Sequence, residues 1–267
     1  MTDSSPRVIV HLSDLHFGRV DAAVVHALRD TVRALQPNGI AISGDLTQRA
    51  RTSEFRAART FLDTLPQPQL VVPGNHDLPL YNVVARLLTP LAGYRQFITS
   101  ELMPIVSDPY VWLVGINTTR PTTWKSGRVD TATLRRVEQA ARLAPAAAVK
   151  ILIAHHPFDE PAGGRPALEA LTAAGIDVFL TGHLHASYTG HTAHRYQAQG
   201  RAAVVVEAAT ATSTRVREEA NGFNVLRVLP GSVHVQTYTW REGSFACAGE
   251  RAFTRGDNGW TARESLP

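Results

Sequence analysis

Carboxylate, amide and imidazole side chains gather in five short blocks of this chain: Asp14-Leu15-His16, Gly44-Asp45, Gly74-Asn75-His76-Asp77, His155-His156-Pro157 and Gly182-His183-Leu184-His185. Their donors form a mixed nitrogen and oxygen set, suited to Mn, Fe, Zn or Co and too rich in nitrogen for Ca or Mg. The chain has 11 His but a single cysteine, Cys247. Intrachain disulfides and thiolate clusters are thereby excluded, and any metal must rest on His, Asp, Glu or Asn. In Asp14-Leu15-His16 and His183-Leu184-His185 the i, i+2 spacing in an extended segment aims both side chains to one side. Two such pairs and a carboxylate able to bridge can hold two ions about 3.5–4 Å apart, the arrangement used for in-line attack on phosphate esters.

Each block follows a run of strand length. Apolar runs at Arg7 to Ser13, Gly39 to Ser43, Gln69 to Val72, Tyr110 to Ile116, Val149 to Ala154 and Ile176 to Leu180 read as buried strands. Helical periods lie between them, at Ala22 to Leu35, from a cap at Thr52-Ser53-Glu54 to about Leu65, at Thr131 to Leu143 and at Arg165 to Ala174. Leu80 to Leu102 reads as mostly helical with a break at Pro90, either a core helix or a small lid or self-association surface. After Leu184 the helical period gives way to β-rich runs at Ala202 to Ala208, Phe223 to Leu229 and Val233 to Tyr238, the last two joined by the hairpin signal Pro230-Gly231-Ser232. The expectation is one α/β domain over residues 1–248 with a β-rich C-terminal third, and a partly disordered polar tail over 249–267. Taken singly, a carboxylate or amide after a strand is a turn former, and a glycine there a turn residue. Five donor-bearing strand ends at once point instead to the rim where open α/β sheets bind ligands.

Composition sets the outer limits. At 267 residues, 44% hydrophobic and 19% charged, the chain can bury a core without staples. No stretch approaches the roughly 18 apolar residues of a membrane span. Met1 to Arg7 has neither the basic region nor the apolar run of a signal peptide, so a cytoplasmic protein without membrane contact is expected. The net charge of +4, from 27 basic and 23 acidic residues, comes from scattered arginines without a run. That pattern gives no nucleic-acid footprint, although nucleic acid is not excluded as a partner.

The five blocks, in this order, resemble the signature of the calcineurin-like metallophosphoesterase superfamily, D-x-H, GD, GNH(D/E), H and GHxH. The resemblance implies a four-layer αββα sandwich of mixed sheets. It implies that Asp14, His16 and His185 bind one metal ion, that Asn75, His155 and His183 bind another, and that Asp45 bridges them. The family's H-x-P pattern selects His155 over His156. His76 would face the substrate phosphate, donating a hydrogen bond or protonating the leaving oxygen, with Asp77 orienting its ring. Two divalent ions, two carboxylates and a bridging hydroxide leave about one positive charge, which a monoanionic phosphodiester neutralises. The opening His11-Leu12-Ser13-Asp14-Leu15-His16 and the β-rich C-terminal third resemble the class III cyclic nucleotide phosphodiesterase branch. That branch implies hydrolysis of small phosphodiesters, 3',5'-cyclic nucleotides among them, by a metal-bridging hydroxide. A phosphomonoesterase, a nuclease or a non-catalytic scaffold are the alternatives.

Outside the blocks, Arg19 and Arg120 are candidate partners for phosphate or ribose. Trp124, Lys125 and Arg128 sit in a polar loop that could position a base, with packing the alternative for Trp124. A homodimer is a further partner expectation.

Overall fold

The computed structural model describes residues 5–214 and 219–263. In chain order its elements are β1 (Arg7–Leu12), α1 (Ala22–Ala34), β2 (Gly39–Ile42), α2 (Thr52–Asp63), β3 (Gln69–Val71), α3 (Val83–Leu88), α4 (Ala92–Phe97), β4 (Ile105–Ser107) and β5 (Val111–Gly115). They continue with α5 (Thr131–Arg142), β6 (Val149–Ile153), α6 (Gly164–Ala173), β7 (Val178–Thr181), β8 (Tyr188–His191), α7 (Thr192–Arg195) and β9 (Val204–Glu207). Four strands close the described chain: β10 (Gly222–Leu229), β11 (Ser232–Arg241), β12 (Ser244–Gly256) and β13 (Gly259–Ala262).

These strands form two mixed sheets, one in the order β13-β12-β11-β10-β1-β2-β3 and the other β4-β5-β6-β7-β9-β8. β1, β2 and β3 run parallel, as do β5, β6, β7 and β9, and every other pairing is antiparallel. Strand alternation explains the layering. Ile9 of β1 joins Ile151 and Ile153 of β6, Val178 and Leu180 of β7 and Leu226 of β10 in a core between the sheets. Its neighbours Val8, Val10 and Leu12 turn the other way, onto α1 and α2 through Val24, Leu28, Phe55 and Leu62. Leu152 and Phe179 likewise leave the central core to pack on α5 and α6 through Val137, Leu168 and Leu171. The result is the four-layer αββα sandwich, in which each fully buried aliphatic side chain contributes about 1.5–3 kcal/mol of transfer free energy.

Some local expectations change. α2 starts one residue after Arg51, and its cap comes from Glu54, whose Oε2 accepts from the backbone N–H of Arg49 at 2.7 Å and of Arg51 at 3.3 Å. The Leu80 to Leu102 stretch, expected to be mostly helical with a break at Pro90, holds two short helices, α3 and α4, parted at Thr89 to Leu91. The domain boundary expected at 248 falls inside β12, and the supposed tail continues as β12 and β13 to Ala262. Asp177 clamps that hairpin to the opposite sheet: it is 1% exposed and accepts from Arg255 Nη2 at 2.5 Å, from Trp260 Nε1 at 2.9 Å and from Arg201. Positions 264–267 lie outside the described residues.

Candidate metal centre

The ends of β1, β2, β3, β6 and β7 deliver the five blocks to one rim. They do so through unusual backbone. Nine non-glycine residues among those described have positive φ, and five are Asp14 (52°), His16 (50°), Asp45 (52°), His183 (72°) and His185 (62°). The i, i+2 pairs therefore converge through left-handed residues, where an extended segment had been expected. Such conformations carry strain and persist where the surroundings impose them. Here the loops are tied to one another by Asp14 N–H to Gly44 O at 3.1 Å, His16 N–H to Asp45 O at 2.9 Å and Gly182 N–H to His155 O at 3.0 Å. Two glycines are required for close approach: a Cβ on Gly74 would lie 2.1 Å from Asp45 Oδ1, and one on Gly182 would lie 1.8 Å from Ser13 Oγ.

All seven residues expected as metal ligands are brought together, in two groups. In the first, His16 Nε2 and His185 Nε2 are 3.2 Å apart, and Asp14 Oδ1 lies 3.1 Å from His185 Nε2 and 3.6 Å from His16 Nε2. In the second, His155 Nε2 lies 3.0 Å from Asn75 Oδ1 and 3.2 Å from His183 Nδ1. Asp45 stands between them, Oδ2 3.8 Å from His16 Nε2 and Oδ1 3.5 Å from His155 Nε2.

The donor chemistry fits a cation. His155 donates its Nδ1–H to the Ser43 carbonyl at 2.7 Å, so its Nε2 carries a lone pair, and that lone pair faces the Asp45 carboxylate. Asp14 Oδ1 is buried and meets no aligned hydrogen-bond donor, while Oδ2 of the same carboxylate accepts from Ser13 Oγ at 2.6 Å and from His183 N–H at 3.0 Å. Burial alone would raise the Asp14 pKa; the close His16, His185 and His155 rings hold it well below the usual carboxylate range. His156, by contrast, has both ring nitrogens engaged, with Thr118 Oγ1 at 2.7 Å and the Lys125 carbonyl at 2.7 Å, which leaves neither for a metal.

His76 lines a cavity of about 200 Å³ with Asp45, Asn75, Lys125, Glu160, His183, Leu184 and His185. Its ring stands edge-on to His16 at 4.9 Å between centroids, and its backbone N–H donates to Asp45 Oδ1 at 2.8 Å. Asp77 does not orient that ring. His76 Nδ1 donates to the Gln48 carbonyl at 2.8 Å instead. The 3-10 turn Asn75–Asp77 points Asp77 inward, where it is 1% exposed and accepts from the N–H groups of Leu46, Thr47 and Gly74 at 3.2, 2.9 and 2.9 Å. Asp77 is thus a brace between the loops after β2 and β3, with burial and the Asp45 charge pushing its pKa up to about 7.

Neither expected substrate arginine lines the cavity. Arg19 is exposed on the loop after β1. Arg120 is paired with Asp130, the residue that caps α5, so its charge is already taken up. Glu160 is the site residue that sequence reasoning missed. Its Oε2 lies 3.0 Å from His183 Nε2, an interaction that holds its pKa below the ordinary value. Its position five residues after His155, beyond the proline of His155-His156-Pro157, is the signal that was available.

The chain is thus an αββα sandwich whose parallel strand ends carry convergent carboxylates and imidazoles. Residues 7–187 match the family of calcineurin-like phosphoesterases, and the chain belongs to that family. Among curated proteins it is 34% identical over 83 residues to the glycerophosphodiester phosphodiesterase GpdQ of Enterobacter lignolyticus (strain SCF1), a match covering 26% of this chain and 29% of that relative. Among solved structures it is similar to the purple acid phosphatase PPD1 from yellow lupin (Lupinus luteus) seeds, with a TM-score of 0.73 and 12% identity over 94% of this chain and 54% of that one. A single mutant of Vps29 from Entamoeba histolytica superposes with a TM-score of 0.50 and 13% identity, over 92% and 99% of the two chains. At these identities the structural neighbours show the fold. The chain spans about a third of the curated relative and about half of the lupin protein. No helix among the described residues is long and apolar enough to cross a membrane.

Proposed function

We propose that the protein is a dinuclear-metal phosphodiesterase, and the observation that carries this reading is Asp45, whose two carboxylate oxygens are directed to the two donor groups. In this reading Asp14, His16, Asp45 and His185 hold one ion and Asn75, His155, His183 and Asp45 hold the other, with Mn, Fe or Zn as the metals that suit the donors. Ions bound there supply Lewis acidity and make a water-derived nucleophile available near neutral pH. His76 acts beside them. With Nδ1–H committed to the Gln48 carbonyl, its Nε2 is the nitrogen left for the substrate, and a proton on it can be donated to a phosphoryl or leaving-group oxygen. The similarity to a glycerophosphodiester phosphodiesterase supports a diester over a monoester.

The test is a hydrolysis screen with added Mn on bis(4-nitrophenyl) phosphate, 4-nitrophenyl phosphate, cyclic AMP, cyclic GMP, 2',3'-cyclic nucleotides and single-stranded DNA. Turnover of small diesters, cyclic nucleotides among them, is the expected result. Activity confined to monoesters overturns it, cleavage of DNA alone favours a nuclease, and fewer than about one bound metal ion per chain favours a scaffold.

A further inference from the structure

The loop from Thr118 to Arg128 enters the site without belonging to any of the five blocks. It is closed at its base by Arg128 N–H to Thr118 O at 2.8 Å. Two buried groups hold it in place. Arg86 of α3 is 2% exposed, and its guanidinium meets no carboxylate among the described residues. It donates to the carbonyls of Pro121 at 2.8 Å, Thr123 at 2.5 Å and Pro79 at 3.1 Å, and lies 4.4 Å from the centre of the Trp124 ring. His156 also holds the loop, bonded to Thr118 Oγ1 and to the Lys125 carbonyl. Burying a guanidinium is costly unless its donors are satisfied, so committing two of them to carbonyls of this loop, and a third to Pro79, ties the loop to the start of α3.

What the loop delivers is Lys125. It is the only lysine or arginine among the described residues lining this cavity, and one of only two lysines in the chain. Of the acidic residues that also line this cavity, Glu160 pairs with His183 and Asp45 faces the two donor groups, and neither forms an ion pair with Lys125. The arginines expected to meet the substrate are elsewhere.

We propose that Lys125 is the substrate-anchoring cation of this site, binding the anionic phosphoryl group, and that Arg86 and His156 are the positioning residues that hold the 118–128 loop so that Lys125 lines the cavity. This rests on the phosphoesterase reading above and adds to it the residue that captures the anion. Lys125 contributes binding, and because it is an exposed residue its solvated charge limits the size of the effect.

The experiment compares metal-loaded wild type with Lys125→Gln, Lys125→Arg and Arg86→Lys, measuring KM and kcat on bis(4-nitrophenyl) phosphate and the binding of inorganic phosphate by calorimetry. Lys125→Gln is expected to raise KM and weaken phosphate binding about five- to tenfold, with the change falling on KM rather than kcat. Lys125→Arg should recover most of that loss. Arg86→Lys keeps the charge but cannot reach three carbonyls, and should shift KM in the same direction with metal content intact. Lys125→Gln with KM and phosphate affinity within twofold of wild type overturns the proposal, as does a loss that arginine at 125 fails to restore. A wild-type protein that hydrolyses no ester defeats the phosphodiesterase reading, and the phosphate titration then decides for or against Lys125 by itself.

Discussion

Glu160 Oε2 lies 3.0 Å from Nε2 of His183, on the ring edge opposite the Nδ1 that faces His155. A carboxylate on the far nitrogen fixes the tautomer of a ligating histidine, orients its ring and raises its basicity. Nδ1 of His183 is thereby the nitrogen left for a metal.

Glu160→Gln is accordingly expected to weaken one of two metal sites by about 10- to 100-fold while leaving the fold intact. Metal titration followed by elemental analysis reads this directly. Equal affinity for both ions in the variant and in wild type would remove Glu160 from the centre.

Asp45 and His76 should separate metal binding from catalysis. Asp45→Ala removes the carboxylate common to both groups and should lose metal and activity together. His76→Ala should keep its metal while losing about 10²- to 10⁴-fold in kcat, the usual worth of a positioned proton donor. A His76→Ala protein purified without metal contradicts the role given to this ring.

Asp77 braces the site without facing the cavity. Asp77→Ala leaves the N–H groups of Leu46, Thr47 and Gly74 without their acceptor, a cost of roughly 1–3 kcal/mol for a buried unsatisfied group. The expected signature is a lower unfolding midpoint in urea, with chelator present in both samples so that metal loss does not enter. An unchanged midpoint shows that the two loops hold without it.

His11 is fully buried, bonded to Ser43 Oγ at 2.9 Å, and burial pushes its pKa down to about 3, against the opposing pull of Asp14. The unfolded chain protonates the same ring near pH 6.5. The folded pKa is the lower of the two, so the stability His11 contributes is fully present above pH 6.5 and is lost as pH falls toward 3. NMR of the ring should show no titration between pH 8 and 5. A midpoint above pH 5.5 contradicts this.

Much of the fold is legible along the chain because buried strands leave a local mark. Ile151 to Ala154 and Val178 to Leu180 are unbroken apolar runs, and parallel strands covered on both faces require such runs. β12 leaves no comparable mark. Most of its side chains are exposed, with only Phe245 and Phe253 fully covered, so residues beyond 248 looked like a tail. What retains this hairpin is Asp177, far away in sequence and bonded to Arg255 and Trp260.

The site divides along the same line. Residue types, their order and the glycines between them pointed to a mixed nitrogen and oxygen donor set at five strand ends, because close approach restricts where glycine must stand. Direction was not written in those blocks. Whether Asp77 faces His76 or the backbone of the neighbouring loop depends on a 3-10 turn, and whether Arg120 meets a substrate or Asp130 depends on where α5 begins. Glu160 reaches His183, and Lys125 reaches the cavity, only because separate loops are packed against one another. A side chain's partner is chosen by burial and by the nearest unsatisfied donor or acceptor, and both exist only once the chain has closed on itself.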